Sequence, residues 1–281
     1  MIINLKELRS IDLASFTIMA TSIAVLISVI ASVIIAVAIG SASAEAFSFA
    51  IYLIPTIVVG TLMYGIYSNF LSAFLYNVLG TKLKKIKMVI TDGEIVKISL
   101  AETAIIVSII STIELILIYL SSVLIFPLVI STVIQTFAFA GQQNLAYGLY
   151  QLLMILSQPI TIIIIIAGSF ILSFAYCIIG TFIYNFLGNM GRGVRLELSS
   201  ENNFTVVDSI DSVKLGIVVS VISGVMSIIS GVLLLLSGGN GIGAVGSIII
   251  GFVIGFILGT LIGAFYNFLA PRLGKLKIEL V

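Results

Sequence analysis

Apolar positions run almost unbroken through six long stretches, at 13–40, 51–78, 100–126, 160–186, 215–236 and 242–268. A helix rises about 1.5 Å per residue and the hydrocarbon core of a bilayer is about 30 Å thick, so about 20 residues suffice to cross. Each stretch meets that length. Backbone amides in lipid have to be satisfied inside the segment, and the runs are too long and too uniform for barrel strands. The pattern therefore predicts six membrane-spanning helices. The first run covers 28 residues, far beyond the 7–15 of a signal-peptide core, and is read as an uncleaved helix. Residues 127–158 are apolar and uncharged, in two halves too short to cross comfortably. They read either as extensions of spans three and four, joined at Gly141-Gln142-Gln143-Asn144, or as a short re-entrant or interfacial pair.

A second pattern follows the even-numbered spans. Segments 86–90, 194–198 and 276–280 alternate, or nearly alternate, apolar with charged residues, as half-buried strands do. The first is followed by Thr91-Asp92-Gly93 and a second such run, Glu94-Ile95-Val96-Lys97-Ile98. Asp-Gly between two alternating runs is a hairpin signal. Residues 203–207 read as a return strand after the second tail, and 1–5 as a sixth strand. The expectation is a small β cap of about six strands. The competing reading of the tails is three amphipathic helices on the lipid headgroups.

The chain also repeats itself. Tyr76-Asn77, Tyr184-Asn185 and Tyr266-Asn267 each close an even-numbered span, and the segments behind them align without gaps: YNVLGTKLKKIKMVI, YNFLGNMGRGVRLEL and YNFLAPRLGKLKIEL. Ser10-Ile11-Asp12 and Ser209-Ile210-Asp211 open spans one and five, with Lys97-Ile98-Ser99 as a partial counterpart before span three. The unit is two helices and a tail, giving repeats over 1–93, 94–201 and 202–281. With an even number of spans per unit, the copies share one orientation, and their pseudo-threefold axis lies along the membrane normal. The fold class expected is thus an all-α polytopic membrane protein with a small cytoplasmic β cap.

The third repeat resembles an uncharacterised prokaryotic two-helix transmembrane domain family, a domain of unknown function. The resemblance rests on the entry Asp208-Ser209-Ile210-Asp211-Ser212-Val213-Lys214 and the exit Gly263-Ala264-Phe265-Tyr266-Asn267-Phe268-Leu269-Ala270, with Gly274 and the tail behind it. It covers about 75 residues well. Repeats one and two match mainly at the exit and carry Ser15 and Glu102 in place of the entry lysine. The resemblance implies no activity. It implies that one unit assembles as an oligomer, which this chain encodes as a fused trimer.

Composition narrows the chemistry. Of 281 residues, 60% are hydrophobic and 9% charged, against about one-quarter charged in soluble domains. There is no histidine, and Cys177 is alone. Histidine triads, zinc–histidine sites and disulfide frameworks are thereby excluded, and no cofactor or metal is called for. The 13 Lys and Arg residues all fall on the side of the termini, and the opposite loops hold none. Positive charge resists translocation, which places both termini in the cytoplasm of a multi-pass cell-membrane protein.

Four groups of residues are candidates for function. Glu114 sits about 12 residues into span three, near mid-membrane, where an ionisable side chain is costly and rare. Asn69, in span two, lies at a comparable depth. The pair suggests a proton or cation site, or a protonated carboxyl serving as hydrogen-bonded glue. Ile27 and Met226 occupy the aligned positions, which argues against a ring of three acids. Gly251, Gly255, Gly259 and Gly263 line one face of span six and invite close helix packing. The Tyr-Asn pairs suit the headgroup zone and hydrogen bonding to the cap. Lys82, Lys84, Lys85 and Lys87 form a basic patch suited to anionic lipid headgroups, at about 1 kcal/mol per charge.

No nucleotide loop or paired catalytic carboxylates appear, so no enzyme is expected. No aromatic-rich basic domain suits nucleic acid. Two functions are carried forward. One is a non-catalytic scaffold or assembly protein presenting its cap to a protein partner. The other is a channel or secondary transporter with a path along the pseudo-threefold axis.

Overall fold

The computed structural model describes residues 4–41, 44–139, 143–156 and 158–281. Seven helices and six strands follow in the order β1 (Asn4–Ile11), α1 (Leu13–Gly40), α2 (Ala44–Lys82), β2 (Lys87–Thr91), β3 (Glu94–Ile98), α3 (Leu100–Phe139), α4 (Gln143–Leu156), α5 (Pro159–Asn189), β4 (Val194–Glu201), β5 (Phe204–Ile210), α6 (Ser212–Leu236), α7 (Gly241–Leu273) and β6 (Leu276–Leu280). Six of the helices are long and apolar enough to cross a membrane, and all but α4 contribute one.

The chain forms two compact units. One holds residues 1–103 and 178–281, and the other residues 104–177. The larger unit contains all six strands together with α1, α2, α6 and α7. Its helices form hairpins, α1 on α2 and α6 on α7, and α1 also packs on α7. The smaller unit contains α4, most of α3 and the first part of α5.

The six strands close into an antiparallel barrel in chain order, with β6 returning to β1. Closure leaves no strand edge to pair with another chain. The β2–β3 turn is the Asp-Gly hairpin: Asp92 and Gly93 take φ of +50° and +77°, as a two-residue turn of the type I′ kind requires. Asn202, at φ +56°, opens the β4–β5 turn. The third connection is made by the chain ends, where Glu7 and Val281 exchange backbone hydrogen bonds of 2.7 and 3.0 Å.

The ladder irregularities fall at corresponding places. β1 against β6 slips between Leu8 and Ser10, β3 against β2 between Ile95 and Lys97, and β5 against β4 between Val207 and Ser209. Each skips one residue, Arg9, Val96 or Asp208. Such bulges bend a strand and increase its twist, as closing a small barrel demands.

The tails are strands, as expected, and not headgroup helices. One expectation changes against this structure. The amino-terminal strand runs over Asn4–Ile11, further along than the 1–5 expected; residues 1–3 lie outside the described residues. The bulge at Arg9 interrupts the alternation that would have signalled the strand. In the 127–158 segment, α3 continues unbroken to Phe139 and Gln143–Leu156 forms a separate helix. The joint at Gly141 and Gln142 lies outside the described residues.

The core of the larger unit lies where helices meet barrel. One cluster joins Met19 and Ile23 of α1 to Val207 of β5 and Tyr266, Leu269 and Ala270 of α7. A second joins Tyr184 and Leu187 of α5 to Val194 of β4 and Val218 of α6. Ion pairs dress the barrel, among them Lys87–Glu7 at 3.1 Å, Arg9–Glu279 at 3.0 Å and Lys275–Asp208 at 2.6 Å. The Lys275 ammonium, with the Ser199 hydroxyl, holds the Asp208 carboxyl below the usual carboxylate range.

Candidate functional site

The Tyr-Asn pairs sit in the last turns of α2, α5 and α7, and each reaches back to the strand, β1, β3 or β5, that leads into α1, α3 or α6. Tyr76 donates its hydroxyl to the Leu8 carbonyl at 2.6 Å, Tyr184 to Ile95 at 2.8 Å and Tyr266 to Val207 at 2.5 Å. Each of these strand residues borders a bulge. The neighbouring asparagine bonds a residue three positions further on, with both ends of its amide. Asn77 accepts from the Ile11 N–H and donates to the Ile11 carbonyl, both at 2.8 Å. Asn185 does the same to Ile98 at 2.7 and 2.8 Å, and Asn267 to Ile210 at 2.9 and 2.8 Å.

An asparagine amide presents an acceptor and a donor side by side, so it pairs with one residue's backbone as a second strand would. The residue so gripped is the last of its strand. Its N–H and C=O are lost to the ladder there, and an unpaired backbone group costs about as much as a lost hydrogen bond. The tyrosine hydroxyl works in both directions. Besides donating, Tyr184 accepts from the Val194 N–H at 3.3 Å and Tyr266 from the Leu276 N–H at 3.1 Å, and Tyr76 bonds the backbone of Ile86. Each pair thus ties a returning helix to two adjacent strands.

The next residue in each case starts the outgoing helix. Asp12 and Asp211 cap α1 and α6, accepting from the N–H groups of Ser15 and Lys214 at 2.8 and 3.0 Å. Ser99 instead turns its hydroxyl to the Lys87 N–H at 3.0 Å. The backbone N–H of all three meets a tail carbonyl: Asp12 meets Lys277, Ser99 meets Lys87 and Asp211 meets Arg195, at 3.0, 2.7 and 2.9 Å. The strand acceptors and these caps were not legible as partners of the Tyr-Asn pairs. The available signal was their constant spacing ahead of spans one, three and five.

The glycines of α7 face α6. A Cβ on Gly259 would lie 2.9 Å from the Gly216 Cα and the Leu215 carbonyl, and one on Gly263 would lie 2.7 Å from the Ser212 Cα. At Gly251 and Gly255 it would collide with the hydroxyls of Ser227 and Ser223. Gly188, at the end of α5, lets the helix press against the Val96 carbonyl of β3.

Asn69 and Glu114 fall in different compact units. Asn69 donates to the Thr21 hydroxyl of α1 at 3.1 Å, an amide–hydroxyl link inside the α1–α2 hairpin. Glu114 is half-buried on α3, whose Thr112 accepts from Ser169 of α5 at 3.4 Å. In the basic patch, Lys82 at the end of α2 and Lys84 in the α2–β2 connection are exposed, Lys85 is half-exposed and Lys87 is engaged with Glu7. No group of three or more acidic or cysteine side chains among the described residues is placed to hold a metal ion.

No protein-family model, no curated protein and no solved structure matches the chain. The functional reading therefore rests on its own residues.

Proposed function

We propose that the chain is a multi-pass cell-membrane scaffold or assembly protein, with no catalytic role, in which a rigid cytoplasmic barrel roots three helical hairpins related by a pseudo-threefold axis. One observation carries this reading: all three Tyr-Asn pairs spend their hydrogen-bonding capacity on the backbone of the barrel. Residues placed to bind a solute would keep donors or acceptors for it. The aligned bulges and the aligned tail-to-cap hydrogen bonds support the threefold relation. The placement of every lysine and arginine at the barrel end supports cytoplasmic termini. On this reading the bilayer and its anionic headgroups surround the helices, and the barrel wall is the surface offered to a protein partner.

Two measurements test it. Proteoliposomes carrying the wild type and Glu114→Gln, loaded with proton- and cation-sensitive dyes, are expected to be equally tight. A wild-type flux that the glutamine variant abolishes would replace the scaffold by a transporter using Glu114. For sidedness, Cys177 is first changed to serine. Single cysteines at Gly141 and Gly239 are then expected to react with an impermeant thiol reagent on intact cells, and cysteines at Lys85 and Arg192 only after lysis. The opposite pattern would invert the protein in the membrane.

A further inference from the structure

We propose that the cleft between the α5–β4 turn and the start of α6 binds the phosphodiester of one anionic phospholipid. The cleft has a volume of about 390 Å³ and is lined by Gly191, Arg192, Lys214 and Ile217. Glu94 of β3 holds its two walls together. One carboxylate oxygen accepts the Gly193 N–H at 2.7 Å, next to Arg192, and the other accepts the Lys214 ammonium at 2.7 Å. An ammonium has three N–H donors, so two remain for a ligand. The Arg192 guanidinium is exposed and meets no protein acceptor among the described residues. Arg192, Lys214 and Glu94 leave one net positive charge, which matches the single negative charge of a phosphodiester. A guanidinium beside an ammonium is also a donor set suited to phosphate oxygens.

Position points to a lipid as the source of that phosphate. Arg192 lies three residues past the span-forming segment Ile160–Asn189, and Lys214 is the third residue of the segment Ser212–Leu236. Both cations therefore stand at the same border of the apolar layer. Ile217 follows Lys214 by three residues, on the same helix face and one turn deeper, and is 37% exposed. It gives an acyl chain an apolar rail directly above the charged head. This argument rests on the chain being multi-pass and is independent of which side the barrel occupies.

The aligned junctions lack the arrangement. Arg192 corresponds to Lys84 and Gly274, and Lys214 to Glu102 and Ser15. The α2–β2 exit meets the α3 entry through Lys87 and Ser99, and the β6 tail meets the α1 entry through Lys277 and Ser15. The first of those junctions combines a cation with an acid, and the second has neither charge at these positions. Only the junction of α5, β4 and α6 sets two cations on one cleft.

The test uses the intact protein in detergent, mixed with equal amounts of phosphatidylglycerol and phosphatidylcholine and read by native mass spectrometry. The wild type is expected to retain one phosphatidylglycerol in preference to phosphatidylcholine. Arg192→Gln should lower that retention about fivefold, one surface cation's worth, while Arg192→Lys keeps most of it. Arg192 is exposed, so the glutamine variant should unfold at the wild-type temperature, which separates lost binding from lost folding. Lys214→Gln should lower retention similarly, and the combined Lys82→Gln, Lys84→Gln and Lys85→Gln variant should leave it unchanged. Equal retention by wild type and Arg192→Gln, or loss only in the triple variant, would overturn the site. Displacement of the lipid by excess inorganic phosphate would overturn its assignment to a lipid in favour of a free anion.

Discussion

The hairpins α1–α2 and α6–α7 bring two helices together with different residues. On α1 the buried positions include Thr21, Ser28, Ser32 and Ala36. The Ser28 and Ser32 hydroxyls donate to the Val25 and Val29 carbonyls of their own helix, at 2.8 and 2.9 Å. Each serine thus presents little more to α2 than an alanine would. A polar link crosses this hairpin from Asn69 to Thr21, and a Cβ on Gly65 would lie 3.0 Å from the Thr21 methyl. On α6–α7, Gly259 stands opposite Gly216, and a Cβ there would meet the Gly216 Cα, the Leu215 carbonyl and the stiff Val219 Cβ, each at 2.9 Å. Without a hydrophobic force between helices in lipid, packing distance and a few hydrogen bonds are what remain. The first hairpin uses small side chains that can shift and an amide link. The second relies on a backbone contact that cannot yield.

The largest expected effect breaks the second hairpin. Gly259→Leu should destabilise the protein by about 3 kcal/mol, the upper end of ordinary overpacking, because no flexible side chain can move aside. The neighbouring Leu258→Ile should cost less than about 1.5 kcal/mol. Unfolding in mixed micelles reads both, and equal stability would mean that α6 and α7 do not close on this face. On α1, Ser32→Ala should lie within about 0.5 kcal/mol of the wild type. A large loss there would show that its hydroxyl reaches beyond its own helix.

Next come the latches common to both hairpins. Asn267→Ala strips the Ile210 N–H and C=O of their partner and should cost about 1–3 kcal/mol. Asn77→Ala at Ile11 should cost a similar amount. A pronounced inequality between the two would mean that one hairpin is held to the barrel by other contacts. A smaller effect sharpens the first hairpin. Asn69→Ala should cost about 0.6 kcal/mol, the mean for hydrogen bonds between membrane helices. Thr21→Val should give a similar loss, and the double variant little more than either alone. Additive losses would show that the two side chains do not act on each other.

The six long helices were legible because hydropathy is a local property and needs no knowledge of neighbours. The strand tails were legible for a similar reason: alternation marks a half-buried strand, and Asp92-Gly93 carries its own turn geometry. The Tyr-Asn pairs were visible through recurrence alone, since nothing in the dipeptide names the backbone it grips. Glu114 stood out by its charge in an apolar run, whereas the Arg192–Lys214 cleft did not stand out at all. Its residues are 22 positions apart in sequence, and Glu94, far upstream on β3, bonds both of their walls.

Spans, strand tails, turns and the positive-charge bias all follow from residues within a few positions of one another. Barrel closure does not. It depends on β1 finding β6 across nearly the whole chain, with Arg9 and Glu279 in ion contact. The strand register follows the same rule: a slip of one residue exchanges the two faces of a strand, and the bulges at Arg9, Val96 and Asp208 set it only once partner strands are in place. The choice of partner for each Tyr-Asn latch is likewise a matter of which backbone groups the finished ladder leaves unpaired.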